Sequence, residues 1–196
     1  MTPQPDPILA LFRSTGAYLQ GHFRLTSGLH SSEYLQCALV LQHPAAAAQL
    51  GGMLADQLRP LAGSLDLVAS PALGGLIIGH EVARAMGARF IFTERDAATQ
   101  KMTLRRGFAV APGERAVVVE DVVTTGGSTR EVVEALRAAG AEVLAAGSII
   151  DRSGGRAEVG VPRTALATLE ATVWDPQECP LCRQGIPVVK PGSRAT

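Results

Sequence analysis

The sequence predicts an α/β fold, in which a twisted parallel β-sheet carries helices on both faces. Short apolar runs alternate with segments of helical spacing between about residues 65 and 150, and glycines mark the joints. Apolar runs of this kind are typical of strands buried on both faces, which right-handed βαβ units connect. The length of 196 residues suits one domain. We expect its core at about 60–155, with a small hood from about 1–40 and 160–196.

The predicted elements follow in chain order. Before the alternating region we expect a helix over 6–15 ended by Gly16, turns and short strands over 23–36, and a helix from Pro44 to about Leu58 that Pro60 and Gly63 break. Within it we expect strands 65–70, 89–93, 116–120 and 143–150, and helices 75–86 and 127–139. The polar stretch 94–107 shows no apolar period. Beyond residue 151 we expect an edge strand over 165–169 and an irregular tail over 176–196.

Composition excludes several classes of protein. The 18 basic and 18 acidic residues balance, which argues against a non-specific nucleic-acid binder. The hydrophobic share of 46% argues against disorder. No basic region followed by an apolar run begins the chain, and no apolar run approaches the ~20 residues of a membrane span. We expect a cytoplasmic protein that binds neither nucleic acid nor membrane.

One segment, residues 117–130, contains the residues suited to chemistry. It reads VVVEDVVTTGGSTR, an apolar strand that ends in Glu120 and Asp121 and continues through small and hydroxyl residues into a helix. Ligands of open α/β sheets bind at the carboxyl ends of the strands. Accessible backbone N–H groups, hydroxyls and a helix N-terminus at that edge make a phosphate cradle.

The two carboxylates cannot serve the same phosphate, because like charges repel. They must face a sugar diol, a divalent cation or a developing positive charge. The segment lacks the lysine of the GxxxxGK[ST] nucleotide loop. The alternative interpretation is a plain turn in which Ser128 and Glu131 form a capping box.

The string VVVEDVVTTGGS resembles the phosphoribosyl pyrophosphate (PRPP) signature of type I phosphoribosyltransferases, and it implies their fold. The resemblance implies that Glu120 and Asp121 contact the ribose hydroxyls and are catalytic. It also implies Mg²⁺ on the pyrophosphate, held mainly by PRPP rather than directly by the protein. The implied PRPP-binding residues of the loop are Glu120, Asp121, Val122, Val123, Thr124, Thr125, Gly126, Gly127 and Ser128.

A second string, FRLTSGLHSSEYLQ at 23–36, resembles the N-terminal substrate segment of orotate phosphoribosyltransferases. The orotate-binding residues that this implies are Thr26, Ser27, Tyr34 and Leu35, with Thr124 added from the phosphate loop. Many members carry Lys where this chain has Thr26, so the site lacks that cation. Taken alone, Tyr34 is equally well explained as a half-buried aromatic residue of a strand.

The stretch 70–79, SPALGGLIIG, resembles the pyrophosphate loop of the family. The implied PRPP contacts are Ala72, Leu73 and Gly74. Members often carry Lys at the position of Gly74, so only backbone groups are available here. The alternative interpretation is an ordinary strand-to-helix turn.

The polar stretch 93–107 resembles the mobile catalytic loop of the same enzymes. Six basic and two acidic residues lie between 84 and 106. The usual R-K-x-x-K-x-H-G form is not kept, and Arg95 and Lys101 are the nearest matches, implied to bind PRPP and to assist catalysis. The resemblance implies a homodimer whose loops reach over the partner's site, and we expect no acidic segment of the same chain beneath the loop. The alternative is a solvated hairpin with ordinary surface charge.

Two further motifs, at 151–152 and 179–182, each allow more than one interpretation. Asp151 and Arg152 match a family pair whose arginine reaches the orotate carboxylate, although a surface salt link explains them equally well. Cys179 and Cys182 form a C-x-x-C, which supplies only two of the four ligands of a structural zinc. The four histidines are remote in sequence, so the pattern favours a turn with two packed or reducible thiols.

Taken together, these strings predict an orotate phosphoribosyltransferase, which converts orotate and PRPP into orotidine 5′-monophosphate and pyrophosphate. A purine phosphoribosyltransferase would share the PRPP signature but should lack the string at 23–36. A PRPP-sensing regulator that binds nucleic acid should show a basic face or an added helix-turn-helix, and we find neither.

Overall fold

The computed structural model describes residues 6–25, 27–169 and 172–191. The chain divides into two compact units: one spans 41–169, and the other combines 1–40 with 170–196. The last sheet strand, Arg163–Thr168, falls in the larger unit, although we expected the hood to begin near residue 160. The reason is that this strand pairs with its neighbour in the sheet from Ala146 to Asp151.

The larger unit is built on a sheet of six strands with the order β5-β4-β3-β6-β7-β8. Its strands are β3 (Leu67–Pro71), β4 (Arg89–Arg95), β5 (Met102–Leu104), β6 (Arg115–Val123), β7 (Glu142–Asp151) and β8 (Arg163–Thr168). All neighbours pair in parallel except β5, which runs antiparallel to β4. The predicted parallel sheet is therefore confirmed.

Helices cover both faces of this sheet, as predicted. They are α3 (Pro44–Ala62), α4 (Gly75–Met86) and α5 (Gly127–Ala138). On one face Val132, Val133 and Leu136 of α5 pack in a single cluster with buried strand residues such as Val118. On the other face α3 approaches Gly147 so closely that an added Cβ would lie 3.1 Å from methyl carbons of Leu54 and Leu58.

The smaller unit contains a second, antiparallel sheet with the order β1-β2-β9. Its strands are β1 (Tyr18–Arg24), β2 (His30–Leu35) and β9 (Val173–Trp174), and its helices are α1 (Pro7–Ser14) and the single-turn α6 (Pro180–Arg183). A short helix, α2 (Cys37–Leu41), crosses the boundary between the units and was not predicted. The side chain of Asp6 caps α1, with Oδ1 2.8 Å from the N of Ile8.

Two predictions about elements were wrong. Pro60 does not end α3, because Leu58 and Ala62 are buried beside it and packing keeps the last turn helical until Gly63, which has a φ of +61°. The stretch 94–107, in which no strand was predicted, contains a hairpin, because β4 continues to Arg95 and β5 returns beside it. None of the helices in the described ranges is both long and apolar enough to span a lipid bilayer.

Candidate active site

The residues of the larger unit that are predicted to bind the ribose and the phosphates lie where β3 and β6 end, whereas Arg95 and Lys101 lie in the hairpin of β4 and β5. The strands β3 and β6 are parallel neighbours, but α4 leads from β3 to one side of the sheet and α5 leads from β6 to the other. Connections that diverge in this way open a crevice at the carboxyl ends of the strands. The loop 72–74 follows β3, and the phosphate loop 124–127 follows β6.

Glu120 is buried near the end of β6, with 8% of its surface exposed. Its Oε1 accepts a hydrogen bond from the Ser128 hydroxyl at 2.7 Å, and its Oε2 accepts one from the Thr129 hydroxyl. Burial raises the pKa of Glu120, and the two hydroxyl hydrogen bonds oppose that shift only in part. The Glu120 carboxylate is thus oriented by two hydroxyls of α5, those of Ser128 and Thr129.

Asp121, in β6, lies against Gly74 of the loop that follows β3. A Cβ on Gly74 would lie 2.6 Å from both carboxylate oxygens of Asp121, so no larger residue fits there while Asp121 keeps its position. Removal from water raises the pKa of Asp121. The absence of a side chain at residue 74 therefore has a structural reason, which is to make room for a carboxylate.

The phosphate loop joins β6 to α5 through a left-handed residue. Gly126 has a φ of +78°, and a Cβ there would lie 2.8 Å from Cγ1 of Val159, so this position requires glycine. Thr124 and Thr125 are exposed, and no side chain caps α5. Its first N–H groups can therefore bind an anion.

The alternative of a capping box is wrong. Gly126 is the N-cap of α5, and Ser128 lies inside the helix with its hydroxyl bound to Glu120. Glu131 instead contacts the hairpin of β4 and β5. Its Oε2 lies 3.0 Å from Nη1 of Arg95 and accepts a hydrogen bond from the backbone N of Met102 at 3.2 Å.

The loop after β3 brings backbone close to the crevice. Ala72 donates its N–H to the carbonyl of Thr93 at 2.9 Å, and Leu73 is 75% exposed. Gly75, at the start of α4, lies so near Ser70 that an added Cβ would be 2.9 Å from the Cβ of the serine. The small residues of SPALGG thus let α4 begin directly against β3.

The basic stretch 93–107 forms a hairpin that rests on its own chain. Arg95 contacts Glu131 of α5, and Arg106 makes two hydrogen bonds to Glu94, both at 2.8 Å. The expectation that no acidic segment lies beneath this stretch is therefore wrong. Lys101 is exposed in the turn between the strands.

Asp151 is the last residue of β7 and Arg152 follows it, beside the end of β6. The backbone N of Arg152 donates to the carbonyl of Val123 at 2.8 Å. Asp151 is 1% exposed and pairs with Arg163 at 2.9 Å, so the salt link of Asp151 is buried and not at the surface. Burial raises the pKa of Asp151, but hydrogen bonds from Ser153, Arg163 and Gly155 lower it further, so the net shift is downward.

The predicted orotate residues other than Thr124 and Arg152 belong to the smaller unit. Thr26 lies outside the described residues. Ser27 is exposed in the turn after β1, while Tyr34 and Leu35 are half-buried in β2. The ring of Tyr34 lies 5.9 Å from that of Phe23, so it has the strand packing that its alternative interpretation describes. Its predicted contact with orotate stays a prediction.

Sequence reasoning missed Glu131 and Arg163 as parts of the site. Glu131 holds the hairpin, and Arg163 holds the Asp151 turn by donating to Asp151 and to the carbonyl of Ala157 at 2.8 Å. Their charged partners, Arg95 and Asp151, are 36 and 12 positions away in sequence. A local pattern carries no signal for contacts of that range.

Comparison with known proteins agrees with this geometry. The model of the phosphoribosyl transferase domain family matches residues 38–180. An orotate phosphoribosyltransferase of Heliobacterium modesticaldum is 53% identical, covering 96% of this chain and 98% of the relative, and one of Pelotomaculum thermopropionicum is 54% identical, covering 96% and 97%.

Among solved structures, the orotate phosphoribosyltransferase of Aeropyrum pernix superposes with a TM-score of 0.68 at 29% identity, covering 83% of this chain and 94% of that one. An adenine phosphoribosyltransferase shares the fold alone, with a TM-score of 0.64 at 17% identity over 80% and 99% of the two chains. With a family model that matches most of its length and relatives that match nearly all of it, this chain belongs to the orotate phosphoribosyltransferase family.

Proposed function

We propose that this protein transfers the phosphoribosyl group of PRPP to orotate, forming orotidine 5′-monophosphate and pyrophosphate in the synthesis of UMP. One observation carries the proposal: an acidic pair, the buried Glu120 and the half-buried Asp121, lies beside the uncapped N-terminus of α5, at the edge where the sheet connections diverge. A ligand with a monophosphate next to a sugar diol satisfies both halves of that arrangement.

The acidic pair acts on the ribose. Displacing pyrophosphate from the anomeric carbon through a loose transition state builds positive charge on the sugar ring. Glu120, oriented by two hydroxyls, and Asp121, placed against Gly74, accept hydrogen bonds from the ribose hydroxyls and offset that charge. Holding the sugar in position supplies much of the rate enhancement.

The two glycine-containing loops act on the phosphates. The first N–H groups of α5, with Thr124, Thr125 and Ser128, bind the 5-phosphate, and the backbone of 72–74 approaches the pyrophosphate. Mg²⁺, held mainly by PRPP, would supply charge neutralisation at the pyrophosphate and so favour its departure. Both oxygens of Glu120 already accept hydroxyl hydrogen bonds, which fits an ion held mainly by PRPP.

The hairpin of β4 and β5 supplies cations to the leaving group. Lys101 is exposed at its turn, whereas Arg95 must exchange Glu131 for the pyrophosphate. This exchange makes the hairpin a lid that closes when PRPP and Mg²⁺ bind. We propose that the protein is a homodimer in which each hairpin closes over the partner's site.

Orotate enters as the nucleophile. Its ring nitrogen attacks the anomeric carbon as the anion, the bond to pyrophosphate breaks, and the electron pair leaves with the pyrophosphate. Arg152 binds the orotate carboxylate through its guanidinium fork. The likeness of the string at 23–36 to the substrate segment of the family supports Thr26, Ser27, Tyr34 and Leu35 as orotate-binding residues.

The decisive test is turnover of orotate, followed by its ultraviolet absorbance. We expect conversion that needs both PRPP and Mg²⁺, and none when adenine or hypoxanthine replaces orotate. Conversion of a purine base in place of orotate would support the purine phosphoribosyltransferase. Binding of PRPP without turnover of any base would support the regulator.

A further inference from the structure

Two histidines from one end of the chain meet two cysteines from the other end in the smaller unit. His22 lies in β1 and His30 in β2, while Cys179 and Cys182 belong to the turn that forms α6. The three cysteine–histidine pairs in contact are 152 to 160 positions apart in sequence. Nevertheless the four ligand atoms all lie within 4.8 Å of one another.

We propose that these four residues form a structural zinc site. Two thiolates and two imidazoles are a common ligand set for tetrahedral Zn²⁺. With zinc bonds of about 2.3 Å to sulfur and 2.0–2.1 Å to nitrogen, a tetrahedron places sulfur and nitrogen roughly 3.5 Å apart. The sulfur–nitrogen distances here are 3.3 Å (Cys182 to His30), 3.4 Å (Cys179 to His22) and 3.7 Å (Cys182 to His22).

The surroundings of His22 fix which nitrogen faces the centre. Its Nδ1 lies 2.7 Å from the carbonyl oxygen of Ile186, which can only accept a hydrogen bond, so Nδ1 carries the proton. Its Nε2 therefore presents a lone pair toward the cysteines and lies 2.8 Å from Nδ1 of His30. A backbone carbonyl behind a histidine is the arrangement that orients metal-binding imidazoles.

Burial favours a structural role over a catalytic one. Cys179 is fully buried, and His22 and His30 are 3% and 6% exposed. With four protein ligands the site has no open position for a substrate, in contrast to catalytic zinc centres. The site lies in the smaller unit, and its ligands include none of the residues proposed to act on PRPP.

The metal would join the two ends of the chain. The hairpin of β1 and β2 already contacts the C-terminal segment through two backbone hydrogen bonds, from Arg24 N to Val189 O and from Val189 N to His22 O, both at 2.8 Å. Small units that bury little apolar surface commonly need a metal or a disulfide for stability. We therefore expect zinc to stabilise the smaller unit.

In sequence, His22 and His30 are remote from Cys179 and Cys182, and this separation favours a plain C-x-x-C turn. In the folded chain, however, β1 and β2 place His22 and His30 next to the two thiols. The requirement of four ligands, which the sequence alone does not meet, is met by the tertiary structure.

The test measures metal in the full-length protein. We expect about one zinc per chain after purification without chelator, as four protein ligands complete one tetrahedral site. Stripped and reduced protein should bind Zn²⁺ again in competition with a chromophoric chelator, and Co²⁺ should give the visible bands of a tetrahedral thiolate site. Cys182→Ser removes an exposed ligand with little change in packing and should lose the metal. Cys37→Ser, at a buried cysteine outside the cluster, should keep it.

Two results would overturn the proposal. One is a failure of reduced wild-type protein to bind Zn²⁺. This result would include the case in which Cys179 and Cys182 act only as a redox-active pair. The other is equal zinc content in wild type and Cys182→Ser. Equal tryptic cleavage after Arg183 in loaded and stripped protein would overturn the stabilising role. These readouts do not depend on turnover, so this proposal and the proposed function can fail separately.

Discussion

Arg95 of the β4–β5 hairpin is bound to Glu131 of α5, with Nη1 of the arginine 3.0 Å from Oε2 of the glutamate. The same oxygen accepts the backbone N–H of Met102, so one carboxylate holds both strands of the hairpin. The arginine proposed to meet pyrophosphate thus begins with an anionic partner in its own chain. In the proposed closure, Arg95 exchanges the Glu131 carboxylate for the pyrophosphate.

Weakening this contact should loosen the hairpin. Glu131→Gln removes the charge that holds Arg95, so we expect faster tryptic cleavage after Lys101 and Arg105, measured by mass spectrometry. Glu134→Gln, at an exposed position one turn along α5, is the matched control and should cleave like wild type. PRPP with Mg²⁺ should protect the hairpin in all three proteins. Equal cleavage with and without these ligands would contradict a closing lid.

If Glu120 and Asp121 act on the ribose, turnover should depend on the charge of Asp121. Asp121→Asn keeps the shape of the side chain but removes its charge from the ribose, so turnover should fall about tenfold or more while the fold survives. Gly74→Ala should lower turnover as well, because its Cβ would displace Asp121. Unchanged turnover of Asp121→Asn, with circular dichroism like that of wild type, would end the assignment.

The burial of Glu120 predicts a pH-dependent stability. Its raised pKa means that the folded protein holds the proton more tightly than the unfolded chain does. Stability attributable to this group is therefore complete below its ordinary pKa of 4.5 and declines as pH rises toward the native pKa. Relative to wild type, Glu120→Gln should be more stable at pH 7 than at pH 4 in urea unfolding. A constant difference between the two proteins would refute this, and Glu134→Gln should track wild type at both values.

Two adjacent glycines of α3 should respond in opposite directions to alanine. A Cβ on Gly51 would lie 2.5 Å from the Cβ of Glu81 in α4, so Gly51→Ala should cost about 1–3 kcal/mol of stability. A Cβ on Gly52 meets no atom within 4 Å. Gly52→Ala should stabilise by about 0.5–1 kcal/mol, since glycine is unfavourable inside a helix. Denaturant unfolding measures both, and the same sign for both would contradict a close contact between Gly51 of α3 and Glu81 of α4.

The proposed dimer can be tested with two inactive parents, Asp121→Asn and the double variant Arg95→Ala with Lys101→Ala. If each hairpin covers the partner's site, a hybrid dimer has one site with an intact Asp121 and an intact covering hairpin. Random reassociation makes about half the dimers hybrid, so roughly a quarter of wild-type sites should reappear on mixing. Activity that stays at the level of the parents, after subunit exchange is verified, would mean that each hairpin serves its own site.

The sequence alone determined the alternation of strands and helices and the position of the loop at 124–127. Both follow from local physics. A strand buried on two faces must read as an apolar run such as AVVVE, and a glycine is required where Gly126 takes a positive φ. The edge at which Glu120 and Asp121 lie follows as well, because parallel strands all end at the same edge of a sheet.

The tertiary structure alone decided which side chains meet. Ser128 turns to Glu120 instead of capping with Glu131, Glu131 holds Arg95, and Cys182 meets His30 across 152 positions. Each of these contacts joins separate elements, and the spacing of residues along one element does not specify a partner on another. Strand order and helix packing bring such residues together, and for that reason the hairpin's anchor and the four-ligand cluster became visible only in the folded chain.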